Sequence, residues 1–199
     1  MKIKSSNITK NDHLVALQDR LRRNGHQAGV LWFTGLPGAG KSTITEKLEF
    51  RLFDEGYQVS VVDNDVVRKG LSADLDFSPG SRSENIRRAG EVSALLARAG
   101  RIVLAGFISP YQSDRDCVRT AVGKGFHEVY LDADIGVCEK RCEPRLYEKA
   151  RAGRILEFTG VSAPYEKPQS PELTIDTETL SVEATIDLLA NYVSEKFRP

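Results

Sequence analysis

The segment Gly35-Leu36-Pro37-Gly38-Ala39-Gly40-Lys41-Ser42 constrains this chain more than any other. It has the spacing of a glycine, four residues, then Gly-Lys-Ser. The run before it, Val30-Leu31-Trp32-Phe33-Thr34, is apolar throughout, as in a strand buried on both faces of a parallel sheet. After it Ile44, Leu48 and Leu52 recur at helical spacing, and Gly56 stands where such a helix would stop. A strand, a glycine-rich turn and a helix in that order curl successive backbone N–H groups around a phosphate at the helix amino end. Gly35, Leu36, Pro37, Gly38, Ala39 and Gly40, with Thr43 just beyond, are therefore expected to cradle ATP. Lys41 is expected to reach the β- and γ-oxygens, and the Ser42 hydroxyl to ligate Mg²⁺.

The alternation continues along the chain. Val59 to Val62, ending in Asp63, reads as a second strand, Ile102 to Ile108 as a third, Val129 to Leu131 as a fourth and Leu173 to Ile175 as a fifth. Ser81 with Glu84 is a capping box for a helix carrying Ile86, Val92, Leu95 and Leu96, and Val182, Ile186, Leu189 and Val193 mark a closing helix. The pattern predicts an α/β fold, a three-layer α/β/α sandwich around a parallel five-stranded sheet, with ligands at the carboxyl ends of the strands. Residues 1–28 are polar and read as an N-terminal arm, and residues 29–199 as one domain. Residues 142–170 are highly charged and broken by Gly153, Gly160, Pro164 and Pro168, which reads as a mobile lid.

Composition narrows the partners. Of 199 residues, 28 are basic and 28 acidic, so no net charge draws the chain to a polyanion such as nucleic acid. The cysteines number 3, with no CxxC pair, which argues against a disulfide framework or a structural zinc site. The longest apolar stretch is too short to span a bilayer, and no signal peptide is visible at Met1. A reducing cytoplasm is the expected compartment.

A phosphate loop does not name a reaction. No N-K-x-D segment is present to read guanine, and the third strand lacks the terminal acid by which many ATPases hold magnesium. The acids end strand two instead, as Asp63-Asn64-Asp65. In small-molecule kinases that place faces the acceptor, where a carboxylate orients or deprotonates a hydroxyl. A solvated turn is the plainer alternative.

Several segments in register resemble the adenylylsulfate kinase (APS kinase) family. They are Phe33-Thr34-Gly35-Leu36, Asp63 through Arg68, Asp74 through Ser78, Glu84 through Arg88, Phe107-Ile108-Ser109-Pro110, Lys149 through Gly153 and Phe158-Thr159-Gly160. The resemblance implies transfer of the γ-phosphoryl group of ATP to the 3′-hydroxyl of adenosine 5′-phosphosulfate, giving PAPS. It makes Lys41, Asp63 and Ser109 the expected catalytic set, with Asp63 activating the hydroxyl or arranging magnesium beside Ser42. Asp63, Asp65 and Arg68 would handle the substrate, Phe77 would stack on its adenine, and Arg82 and Asn85 would grip its phosphosulfate end. Ile108 and Ser109 would line the acceptor site, Ser109 through a hydrogen bond. Arg151 would join the ATP side and neutralise charge during transfer, and Phe158 would cover the substrate base. The resemblance also implies a homodimer and leaves room for association or fusion with ATP sulfurylase.

The chain departs from the family pattern at four places. Asn64 replaces a glycine, Lys69 a histidine, Pro144-Arg145 a Lys-Gly pair, and Glu157 another glycine. A sister kinase with a different nucleotide acceptor, and a nucleotide-binding protein with a vestigial kinase fold, share most of these features.

Overall fold

The computed structural model describes residues 14–143 and 145–199. Five strands, β1 (Gly29–Thr34), β2 (Val59–Asp63), β3 (Ile102–Gly106), β4 (Phe126–Asp132) and β5 (Leu173–Asp176), form one sheet in the order β2-β3-β1-β4-β5. Every pairing is parallel, as the near-continuous apolar runs predict. The side chains of β1 and β3 alternate between two cores. Leu31, Phe33 and Leu104 pack with Leu48, Leu52, Leu189 and Val193 on one face, while Val30, Trp32, Val103 and Ala105 pack with Ile86, Ala89 and Val118 on the other. The first face is covered by α2 (Lys41–Asp54) and α8 (Val182–Lys196), the second by α4 (Pro79–Arg98) and α5 (Gln112–Val122). These are the three layers expected.

Strand ends are aligned by register: Asp63 and Phe33 both pair with Gly106, and Thr34 with Tyr130. The loops that leave the carboxyl edge therefore start from nearly one line, and this brings distant segments to a common site.

Some boundaries differ from the sequence reading. Helix α4 begins at Pro79 with Ser78 as its cap, the Ser78 hydroxyl accepting from Ser81 N at 3.4 Å. Proline at the first helical position needs no N–H partner and carries a helical φ, which shifts the start upstream of the Ser81 box. Three helices have no counterpart in that reading: α3 (Asn64–Lys69), α5 and α6 (Ile135–Arg141). Within the expected lid, α7 (Leu146–Arg151) buries Tyr147 and Ala150 in the first core; Pro144 lies outside the described residues. Of the expected arm, residues 1–13 also lie outside them. The remainder carries α1 (Leu17–Asn24), docked through buried Leu21 and a 2.8 Å bond from Asn24 Nδ2 to Gly100 O.

Candidate active site

The phosphate loop joins β1 to α2. Gly40 caps the helix at φ 99° and Gly38 sits at φ 86°, a left-handed region that favours glycine. A side chain at Gly38 would also run into the carbonyl of Cys138 on α6. The helix amino end opens on a cavity of about 430 Å³ lined by Gly38, Ala39, Gly40, Lys41, Ser42 and Thr43. Lys41 Nζ donates to Gly35 O at 2.9 Å and Leu36 O at 2.8 Å, so the loop's own carbonyls preset the ammonium. Burial lowers its pKa to about 8. Pro37 O accepts from Tyr147 Oη at 2.8 Å, seating α7 against the loop.

The cavity is also lined by Arg141, Thr177, Leu180 and Val182; the sequence reading named Val182 only as part of the closing helix and the other three not at all. Arg141 Nη2 donates to Thr177 O at 2.9 Å, closing α6 onto the loop after β5. The available signal was positional. Residues just past the last parallel strand face the same edge as the phosphate loop.

At the end of β2, Asp63 has two roles. Its Oδ1 accepts from Asp65 N at 2.8 Å and Val66 N at 3.4 Å, capping α3, and its Oδ2 faces the Ser42 hydroxyl at 3.5 Å. A hydroxyl and a carboxylate at that spacing are hard oxygen donors of the kind magnesium accepts alongside substrate phosphates. Among the described residues no group of three or more His, Cys, Asp or Glu could hold a metal. The fit is therefore to an ion bound jointly with nucleotide.

Beside Asp63 a second, small pocket brings together Arg68, Phe77, Arg82, Asn85, Ile108 and Ser109, with Asn64 and Pro110. The Arg68 guanidinium lies 4.3 Å and that of Arg82 5.7 Å from the centre of the Phe77 ring. Arg68 donates to Asp76 O at 3.0 Å, and Arg82 to Phe77 O at 2.8 Å, Glu157 O at 2.5 Å and Thr159 Oγ1 at 3.3 Å. Among the described residues no carboxylate hydrogen-bonds either group. Burial, and after it the charge of Arg82, lower the pKa of Arg68, as two cations share one recess. Asn85 is buried, donates to Asn64 Oδ1 at 3.2 Å, and among the described residues its own Oδ1 has no partner. Asp65 lies outside the lining, exposed, accepting from Asn64 Nδ2 at 3.1 Å. The pocket measures about 50 Å³, well below the roughly 300 Å³ that a nucleotide-sized ligand needs.

Three expected side chains are placed otherwise. The Ser109 hydroxyl accepts from Trp32 Nε1 at 3.1 Å and donates to Thr34 Oγ1 at 3.0 Å, in a residue 1% exposed. Its backbone stands at φ 40°, and its hydroxyl is taken up by these two inward bonds. Phe158 is buried in the first core, edge-on to Tyr147 with ring centres 4.9 Å apart, and does not line the small pocket beside Asp63. Arg151 is exposed and bonds Glu139 at 3.0 Å, away from the nucleotide cavity.

The chain as a whole resembles known proteins in sequence and in fold. The family model described as adenylylsulphate kinase matches residues 27–176. An adenylyl-sulfate kinase of Staphylococcus carnosus is 50% identical over 195 residues, 98% of each chain. One from Bacillus pumilus is 50% identical over 192 residues, 96% of this chain and 94% of the relative. The solved structure of Mycobacterium tuberculosis APS kinase in complex with AMPPNP and APS superposes with a TM-score of 0.79 at 39% identity, covering 83% of this chain and 96% of that one. Phosphate loop, strand-two carboxylate and paired-arginine pocket thus occur in a chain that belongs to the adenylylsulphate kinase family.

Proposed function

We propose that this chain transfers the γ-phosphoryl group of ATP to the 3′-hydroxyl of adenosine 5′-phosphosulfate, releasing ADP and PAPS. The observation that carries the reading is the placement of Arg68 and Arg82 around Phe77, one strand end away from the Ser42–Asp63 pair. Two guanidiniums that no carboxylate bonds among the described residues suit a phosphosulfate, and the ring between them suits a purine. The unpartnered Asn85 Oδ1 supplies an acceptor for a substrate N–H or O–H.

Each chain residue then has a physical task. Backbone amides at the α2 amino end and Lys41 hold the β- and γ-phosphates of ATP, whose base would lie toward Arg141, Thr177 and Val182. Asp63 Oδ2 orients the acceptor hydroxyl or takes its proton as the new O–P bond forms and the bond to the ADP oxygen breaks. Mg²⁺, held by Ser42 and Asp63, would offset the charge on the transferring group. The 50 Å³ pocket would widen if Arg82 released Glu157 and Thr159 as substrate enters, so within the expected lid of residues 142–170 the part around Glu157–Thr159 would move and then exclude water, while Glu166 stays held.

Residues 29–199 as one catalytic domain, a cytoplasmic homodimer and functional association with ATP sulfurylase, which makes the phosphosulfate, complete the proposal. Among the described residues no helix is long and apolar enough to cross a membrane. The test is ADP release with ATP, Mg²⁺ and a panel of nucleotide acceptors, with the product's phosphate position assigned by NMR. Turnover with another nucleotide but none with adenosine 5′-phosphosulfate would overturn the substrate.

A further inference from the structure

A buried arginine lies directly behind the acceptor wall. Arg115, on α5, is 1% exposed, and both terminal nitrogens of its guanidinium donate hydrogen bonds, while among the described residues Nε has no hydrogen-bond partner and only an ionic one. Nη1 donates to Ser109 O at 2.7 Å, and Nη2 to Glu166 O at 2.8 Å and Gln112 Oε1 at 2.7 Å. Nε stands 2.7 Å from Glu128 Oε1, an ion pair in which both side chains are almost wholly buried. One side chain therefore ties three separate elements together: the acceptor loop at Ser109, the segment returning from the lid at Glu166, and β4 at Glu128.

Two features make this more than packing. Ser109 holds φ 40°, a left-handed conformation that persists in a non-glycine residue only where its surroundings fix it. Its carbonyl is gripped by Arg115 while its hydroxyl is held by Trp32 and Thr34. The two strands of chain that Arg115 joins are also bonded to each other, Glu166 N to Pro110 O at 2.8 Å and Gln112 N to Glu166 Oε2 at 2.7 Å. A buried ion pair rarely adds net stability over apolar residues of the same size. Its planar, multi-donor geometry does fix positions.

We propose that Arg115 is a positioning residue for the acceptor side of the reaction: it holds the Ile108–Pro110 wall and the lid's return segment in one fixed relation without touching substrate. The inference rests on the acceptor pocket assigned above. A lysine cannot replace it, because a single ammonium on a flexible stem cannot meet Ser109 O, Glu166 O and Glu128 at once.

The decisive variant is Arg115→Met/Glu128→Leu, which leaves neither charge buried alone, while Arg119 keeps Glu172 as its partner. In the folded double variant the acceptor KM is expected to rise about tenfold or more while the ATP KM stays within about twofold, because the displaced wall lies on the acceptor side only. Arg115→Lys, which keeps the charge opposite Glu128, should show the same split if the double variant does not fold. Amide hydrogen exchange should quicken at residues 108–112 and 165–167 but not at 35–42. Unchanged acceptor KM and unchanged exchange in a folded variant overturn the proposal, as does an equal loss for both substrates. If the wild-type enzyme turns over a different acceptor, the substrate reading falls, whereas the exchange pattern still decides the role of Arg115.

Discussion

Ser42 Oγ and Asp63 Oδ2 face each other at 3.5 Å although 21 residues separate them. The contact exists because α2 starts, and β2 ends, on the same edge of the sheet. Asp63 also caps α3, so replacing it confounds folding with chemistry unless the cap is kept. Asparagine caps about as well as aspartate. Asp63→Asn should therefore leave the thermal midpoint near that of the wild type while lowering kcat by about 100-fold or more, the usual size of a lost general base or metal carboxylate. Steady-state kinetics beside a melting curve check this, and a wild-type kcat would remove Asp63 from the chemistry.

Lys41 gives the site a pH dependence. Burial lowers its pKa to about 8, so in the nucleotide-free protein the ammonium is lost as pH rises through that value. Bound polyphosphate favours the charged form and draws the proton back. Nucleotide affinity should thus be flat below that pH and fall by about tenfold per unit above it, with net proton uptake on binding. Calorimetry of AMPPNP binding at neutral and alkaline pH, in two buffers of different ionisation enthalpy, measures both quantities. Equal affinity across that range would show that Lys41 stays charged throughout.

The inward hydroxyl of Ser109 separates structure from chemistry in another way. Ser109→Ala leaves the buried Trp32 Nε1 without its acceptor, which costs about 1–3 kcal/mol. Denaturant unfolding should register that loss while kcat stays within an order of magnitude of wild type. Intact mass after turnover should show no phosphorylated protein. A collapse of kcat with stability unchanged would instead give the hydroxyl a direct part in transfer.

The contrast between these residues shows what a sequence can reveal. The phosphate loop was legible because its chemistry needs contiguous residues of fixed type between a strand and a helix. Asp63 was legible because it ends a strand at the ligand edge. Arg68, Phe77, Arg82 and Asn85 could be named only through the family resemblance, since each is ordinary alone and the pocket forms when α3 and α4 fold back. Arg141 ends α6, Thr177 follows β5 and Val182 opens α8, and together they carry no motif. Helix α5 escaped because one of its two buried residues is Arg115 rather than an apolar one, which a hydrophobic period cannot register. The orientation of Ser109 depends on one backbone angle, φ 40°, that its residue type does not announce.

Two of the family departures coincide with backbone angles that glycine would adopt freely. Arg145 has φ 84° and Glu157 φ 57°, both in the left-handed region. Such residues cost roughly 1 kcal/mol each relative to an unstrained conformation. Arg82 holds the backbone oxygen of Glu157, not its carboxylate, so Glu157→Gly keeps the contact between α4 and the lid. That substitution should raise stability by up to ~1 kcal/mol and lower the acceptor KM, because a negative charge leaves the neighbourhood of an anion pocket. Arg82→Ala removes the contact and the charge together, and should raise the acceptor KM by about 10- to 100-fold while speeding amide exchange at residues 157–159. Kinetics and exchange on the two variants separate strain from electrostatics. If Glu157→Gly destabilises the fold, the left-handed turn is held by the glutamate side chain and not merely tolerated.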